Sequence, residues 1–148
     1  MKIVIANDHA AVDLKHEVKA YIESLGHEVI NIGTDSNESC HYPEFGAKAA
    51  RMVASGEVDL GVLICGTGVG ISLAANKIKG IRCGVCSETT TARLIRQHNN
   101  ANMIAFGARI VGNELAKDIV KSFLEAEFEG GGRHQTRIDM ITAIENEA

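Results

Sequence analysis

The sequence predicts a three-layer α/β/α domain built on a five-stranded parallel sheet, and three observations carry that expectation. Short β-branched runs alternate along the chain with segments of helical periodicity, the pattern of βαβ units. The strand candidates are almost continuously apolar, as strands covered on both faces must be. With 148 residues, 45% hydrophobic and 23% charged, and a single proline, the chain is large enough to bury a core without disulfide or metal staples.

Lys2 to Ala6 (KIVIA) reads as the first buried strand. A helix is expected from Ala10 to Leu25, with Leu14, Val18, Tyr21, Ile22 and Leu25 at helical spacing and Gly26 as its stop. Glu28 to Ile32 is the second strand. Pro43 opens a second helix through Phe45, Ala49, Met52 and Val53, because proline at the first helical position forfeits no needed hydrogen bond, and Gly56 ends it. Leu60 to Cys65 (LGVLIC) is the most apolar strand and is expected at the centre of the sheet. Gly66 to Gly70 then turns the chain into a helix holding Leu73, Ala74 and Ala75. Ile81 to Val85 forms strand four, a helix covers Glu88 to Gln97, and strand five is Met103 to Phe106.

The last two helices are expected from Asn113 to Glu127 and from His134 to Glu145, separated by Glu129-Gly130-Gly131-Gly132. That glycine run is the one expected hinge. It makes residues 129–148 an arm whose helix stands off the body and reaches a neighbouring subunit. With no repeat, low-complexity tract or linker, residues 1–148 read as a single Rossmann-like domain.

Composition excludes several function classes. The net charge is −4, from 15 Lys and Arg against 19 Asp and Glu, whereas a nucleic-acid-binding domain gathers a basic excess on one face. No apolar run approaches the roughly 18 residues of a membrane span, and MKIVIANDH turns polar too early for a signal peptide. A cytoplasmic protein with no nucleic-acid or membrane partner is expected. The four cysteines, Cys40, Cys65, Cys83 and Cys86, are then expected as free thiols.

In such sheets ligands sit beyond the carboxyl ends of the strands, so the polar residues there are the ones to read. Cys65-Gly66-Thr67-Gly68-Val69-Gly70 carries the most information. Alternate glycines admit close backbone approach, and successive N–H groups at a helix start form a nest for negative charge; the same residues also suit a tight structural turn. Ile71 stands where a dinucleotide fingerprint needs glycine, and the Gly-Lys-Ser/Thr of a Walker loop is missing. A thiol at the mouth of the nest feels the same N–H groups, which favour thiolate, a nucleophile or base; a small core hydrophobe is the alternative role for Cys65.

Asp8 and His9 end the first strand, where Asp8 suits either a helix cap or the orientation of a proton carrier. His98, in RQHNN, lies near a helix C-terminus, which favours a basic residue and equally suits catalysis. Arg133 and Arg137 are four apart and share one helix face, a spacing that suits either a solvated charged face or a grip on a phosphate; Arg109, after strand five, can add to the latter. Cys83 and Cys86 form a C-x-x-C without the further ligands a zinc site needs, and read as packing. Cys40 has no assigned role, and His16, His27 and His41 read as surface residues.

Taken together, Asn7-Asp8-His9, Tyr42-Pro43, ICGTGVGISLAANK (64–77), RQHNNAN (96–102), FGARIVG (106–112) and GGRHQTR (131–137) resemble the type B ribose-5-phosphate isomerases, a family that includes galactose-6-phosphate and allose-6-phosphate isomerases. The resemblance runs from the first strand to the last helix. It implies aldose–ketose isomerisation of a sugar phosphate through a cis-enediolate, without metal or cofactor. It makes Cys65 the base between C1 and C2 and Thr67 the shuttle between the two oxygens. Backbone amides from Gly66 through Gly68 to Gly70 become the hole for the enediolate oxygen.

By the same resemblance His98, with Asp8 nearby, opens the furanose ring, while Asn99 and Tyr42 contact sugar hydroxyls. The phosphate falls among His9, Arg109, Arg133, His134 and Arg137, some of them crossing from a second subunit of a homodimer or homotetramer with shared sites. Three departures from the family pattern stand out: Asn100 replaces a common Asp, a third glycine lengthens the arm, and Ala10-Ala11 replaces a glycine-containing pair. Ribose 5-phosphate is the expected substrate. A hexose 6-phosphate is the nearest rival, and a nucleotide- or flavin-binding module is disfavoured by 4% aromatic content.

Overall fold

The computed structural model describes residues 1–147; residue 148, the end of the expected arm, lies outside the described residues. Strands β1 (Lys2–Asn7), β2 (Glu28–Asn31), β3 (Leu60–Cys65), β4 (Cys83–Val85) and β5 (Met103–Gly107) form one all-parallel sheet in the order β2-β1-β3-β5-β4. The helices are α1 (Val12–Ser24), α2 (Tyr42–Ala54), α3 (Val69–Ala75), α4 (Thr89–Asn99), α5 (Asn113–Glu125) and α6 (Gly132–Glu145). LGVLIC does occupy the centre, with all six residues buried.

Side chains alternate across a strand, which divides the core in two. Ile3, Ile5, Val62, Ile64, Ile104 and Phe106 pack on Val18 and Ile22 of α1, Ala92 of α4 and Ile119 and Phe123 of α5. Val4, Ala6, Leu63, Cys65, Met103 and Ala105 face the opposite way, onto Ala49, Ala50 and Val53 of α2 and Ile71 and Ala75 of α3. The sheet is thus sandwiched between α1, α4 and α5 on one side and α2 and α3 on the other. Right-handed crossovers require this division, because β1→β2 and β4→β5 step one way along the sheet while β2→β3 and β3→β4 step the other.

Several boundaries differ from the sequence expectation, and three of them have a visible local reason. The first helix is preceded by a 3₁₀ turn over His9–Ala11, capped by the Asp8 carboxylate, which accepts the Ala10 N–H at 3.0 Å. Strand β4 begins at Cys83 because the Arg82 N–H goes to the Asn102 side chain at 2.9 Å. Helix α4 runs on to Asn99 and is stopped by Asn100 in the left-handed region, φ 46°, a conformation asparagine tolerates. The last helix begins at Gly132, not His134.

The arm also folds back on its own chain. The Glu129 N–H donates to the Gln97 carbonyl at 3.0 Å, and Gly80 N–H donates to both oxygens of the Glu145 carboxylate at 3.2 and 3.1 Å. Ile138 is buried beneath the helix, whereas Met140, Ile141 and Ile144 stay exposed. No described helix is long and apolar enough to cross a membrane.

Candidate active site

Connections leave β1 and β3 toward opposite faces, so the carboxyl ends of these neighbours frame a crevice of the kind where α/β sheets bind ligands. The Asp8 N–H donates to the Ile64 carbonyl at 3.2 Å and draws the two ends together. Cys65 is the last residue of β3, with 5% of its surface exposed and its side chain on the α2–α3 face. The Gly68 N–H donates to its Sγ at 3.1 Å.

Only glycine serves at position 68: φ is +82°, and a Cβ would lie 2.7 Å from the Phe106 backbone. The first four N–H groups around a helix start have no intrahelical partner. Here Gly68 gives its own to Cys65 and Val69 gives its own to Thr67 Oγ1 at 3.2 Å. The first intrahelical bond is Ser72 N–H to Gly68 O, which leaves the Gly70 and Ile71 amides unspent, along with those of Gly66 and Thr67 in the preceding turn. The Gly68 amide, one of those expected in the oxyanion hole, donates here to the sulfur.

Other expected residues converge on this rim. Tyr42, the first residue of α2, lays its ring on Gly70, where a Cβ would come within 2.5 Å of the ring. Arg109 holds its side chain over Gly66, 3.3 Å from where a Cβ would stand, and its N–H donates to the Gly66 carbonyl at 3.0 Å. Asp8 is buried and fills its capping role. His9 Nδ1 accepts the Cys40 N–H at 3.2 Å, giving Cys40 a place beside the site that its sequence did not announce. Asn7 is fully buried and donates to the Asp8 and Thr34 carbonyls at 2.8 and 3.1 Å; glycine is required at 33, since a Cβ there would fall 2.0 Å from Asn7 Oδ1.

The remaining expected residues form a second cluster. His98 and Asn99 end α4, beside the start of β5, and with His134 and Arg137 of α6 they line a cavity of about 230 Å³. The two imidazoles stack at 4.4 Å between centroids and 7° between planes. Glu129, which sequence reading missed, sets its carboxylate 3.9 Å from His98 Nε2 and 3.6 Å from His134 Nε2. Arg133 is exposed and makes no ion pair among the described residues.

The clusters lie at opposite ends of the sheet. Cys65 is level with Gly107, where β5 finishes, whereas the Asn99 carbonyl is held by Arg82 Nε at 2.9 Å, just ahead of β4. The length of β5 stands between them, roughly 13 Å at about 3.3 Å per residue. One copy of the chain does not bring Cys65 and His98 to the same ligand.

Burial pushes the Cys83 and Cys86 thiols up to about 12. Both remain protonated and apolar at neutral pH, which suits the packing role expected of them.

A family model described as Ribose/Galactose Isomerase matches residues 3–141. The chain is 56% identical over 144 residues to ribose-5-phosphate isomerase B of Escherichia coli K12, covering 97% of this chain and 96% of that one. The solved ribose-5-phosphate isomerase B of Clostridium thermocellum superposes with a TM-score of 0.97 at 52% identity, with 99% of each chain covered. The Mycoplasma genitalium enzyme, solved with bound ribulose-5-phosphate, superposes with a TM-score of 0.94 at 40% identity, covering 99% of this chain and 97% of that one. The five-stranded parallel sheet is thus a fold held in common, and the chain belongs to the ribose/galactose isomerase family.

Proposed function

We propose that this chain is a single sugar-phosphate isomerase domain that interconverts ribose 5-phosphate and ribulose 5-phosphate, with each site built from two copies of the chain. The carrying observation is Cys65 on the lip of a peptide nest in a chain 56% identical to a ribose-5-phosphate isomerase B. In the open-chain aldose the Cys65 thiolate takes the C2 proton, giving the cis-enediolate, and returns a proton to C1. The hydroxyl proton on O2 passes to O1 by way of Thr67, so the net change is one aldehyde for one ketone.

A proton beside a carbonyl is too weakly acidic for a thiolate alone, so most of the barrier falls to donors aimed at the developing oxyanion, each worth about 3–4 kcal/mol. The backbone amides of Gly66 to Gly70 supply these donors, and those of Gly66, Thr67 and Gly70, with Ile71 beyond them, are unspent. Tyr42 and Asn99 contact hydroxyls, and Asp8 supports ring opening. His98 performs that opening from a second copy, because the group that opens the ring and the base that isomerises it must reach neighbouring atoms of one small sugar. His9 and Arg109 meet Arg133, His134 and Arg137 of that copy around the phosphate, and binding there orients the reacting carbons. The minimal unit is a homodimer, acting in the cytoplasm on a phosphorylated sugar.

Steady-state kinetics on ribose 5-phosphate, allose 6-phosphate and galactose 6-phosphate test this reading. The highest kcat/KM is expected for ribose 5-phosphate. A hundredfold preference for a hexose phosphate overturns the pentose assignment, and inactivity on all three overturns the isomerase.

A further inference from the structure

His98, Glu129 and His134 each offer one ligand atom, and the three atoms lie within 4.8 Å of one another. We propose that they form an inhibitory site for a borderline-soft divalent cation of the zinc class, filled in competition with the sugar phosphate. Both Nε2 atoms face the same carboxylate, 3.9 Å away for His98 and 3.6 Å for His134. Two imidazoles and one carboxylate are a donor set that zinc takes readily, leaving a fourth position for water. The neighbouring 230 Å³ cavity provides room for that water.

The three donor atoms need only a short approach to close on an ion. Tetrahedral bonds of about 2.1 Å put donors about 3.4 Å apart, so the two histidine–carboxylate spacings of 3.9 and 3.6 Å contract by only about 0.5 and 0.2 Å. Glu129 is half-exposed and the chain between it and His134 runs through Gly130, Gly131 and Gly132, all at positive φ, so its carboxylate is free to adjust. The stacked imidazoles lie in near-parallel planes, so each ring turns about its χ2 to bring its Nε2 lone pair onto one ion. Arg137 lines the cavity and opposes a cation, and the Glu129 charge offsets it.

A cation held there occupies the nitrogen lone pairs of the two histidines. Inhibition then follows on the reading above, in which His98 opens the sugar ring and His134 helps hold the phosphate. Glu129 itself touches no substrate on that reading, so the site can be removed without removing the chemistry.

Calorimetry with zinc chloride and visible absorption with cobalt(II) chloride, on the full-length, metal-stripped protein, test the site directly. One ion per chain and a tetrahedral cobalt band are expected for wild type and for Cys65→Ala, which separates this site from metal held by the reactive thiol. Glu129→Gln is expected to bind at least tenfold more weakly while keeping its zinc-free kcat/KM. Zinc is expected to raise the wild-type KM for ribose 5-phosphate, and Glu129→Gln to need at least tenfold more zinc for the same rise. Unchanged affinity in Glu129→Gln, loss of binding in Cys65→Ala, or a bound ion that leaves KM unmoved each overturns the proposal. Zinc-free wild type that fails to isomerise ribose 5-phosphate overturns the functional reading instead, while the cobalt band and the calorimetry still judge the cation site.

Discussion

Gly68 directs its backbone N–H at the Cys65 sulfur, 3.1 Å away, from a turn that only glycine can make. The donor holds the sulfur in a fixed place at the start of the glycine turn. Cys65→Ala is therefore expected to lower kcat about 10³-fold or more, in the range found when a positioned base is lost. The variant should still fold, since it removes a single sulfur from the core face. Exchange of the sugar C2 hydrogen with deuterated water, followed by NMR, should stop. Exchange at the wild-type rate would mean that another residue is the base.

Gly68→Ala should act on the fold before it acts on the chemistry. The new Cβ would meet Phe106 backbone atoms at 2.7 Å, and the φ of +82° adds its own strain. Together these should cost more than about 2 kcal/mol of stability. Urea unfolding checks it, and a loss below about 0.5 kcal/mol would show that the turn relaxes easily.

The contrast between Cys65 and His98 shows what a sequence reveals of such a site. The Cys65 turn was legible because its requirements are local: three alternating glycines, a strand before and a helix after. His98 was legible as a residue type but not as a neighbour, since its place follows from α4 running back to the amino end of the sheet. The return of α6 to its own chain was illegible because it depends on one buried side chain, Ile138, and on the His98–His134 stack. Glu129 gave no signal beyond preceding a glycine run. Lys15 misleads any reading by residue type, because its side chain is fully buried and finds its partners only after β2 has been placed.

Separation of Cys65 from His98 within one copy leads to a subunit-mixing test. Cys65→Ala and His98→Ala are each expected to be nearly inactive alone. In a mixed dimer one site combines both lesions and the other carries neither. Random reassembly at equal ratio makes half the dimers mixed, each with one working site of two, so activity should return to about one quarter of wild type. Refolding the two together and assaying the mixture measures this. No recovery would place the whole site within one copy.

Cysteine chemistry should follow burial. Cys83 and Cys86, pushed up to about 12, hold almost no thiolate at pH 8. Native protein treated with iodoacetamide at that pH should leave both unmodified, while the partly exposed Cys40 is alkylated. Mass spectrometry of the digested product reads the pattern. Rapid labelling of Cys83 or Cys86 would mean that β4 opens readily.

Acid should loosen the loop after β2 through one carboxylate. Lys15 Nζ donates to the Thr34 carbonyl at 2.9 Å, to Asn31 Oδ1 at 3.3 Å and to the Asp35 carboxylate, which stands largely in solvent. The hydrogen bond from Lys15, followed by one from Asn31, holds the Asp35 carboxyl below its ordinary value. As pH falls, the unfolded chain takes up this proton before the folded chain does, so the contribution is complete above about pH 4 and disappears as pH passes through the lower folded value. Solvent screening keeps the contribution small. Its loss nevertheless leaves a buried ammonium short of its counter-charge, which gives Asp35→Asn a clear signature. The variant should be less stable than wild type at pH 7, and the gap should narrow steadily from pH 4 to pH 2. Urea unfolding across that range measures the gap, and a constant difference at every pH would show that Asp35 supports Lys15 by hydrogen bonding alone.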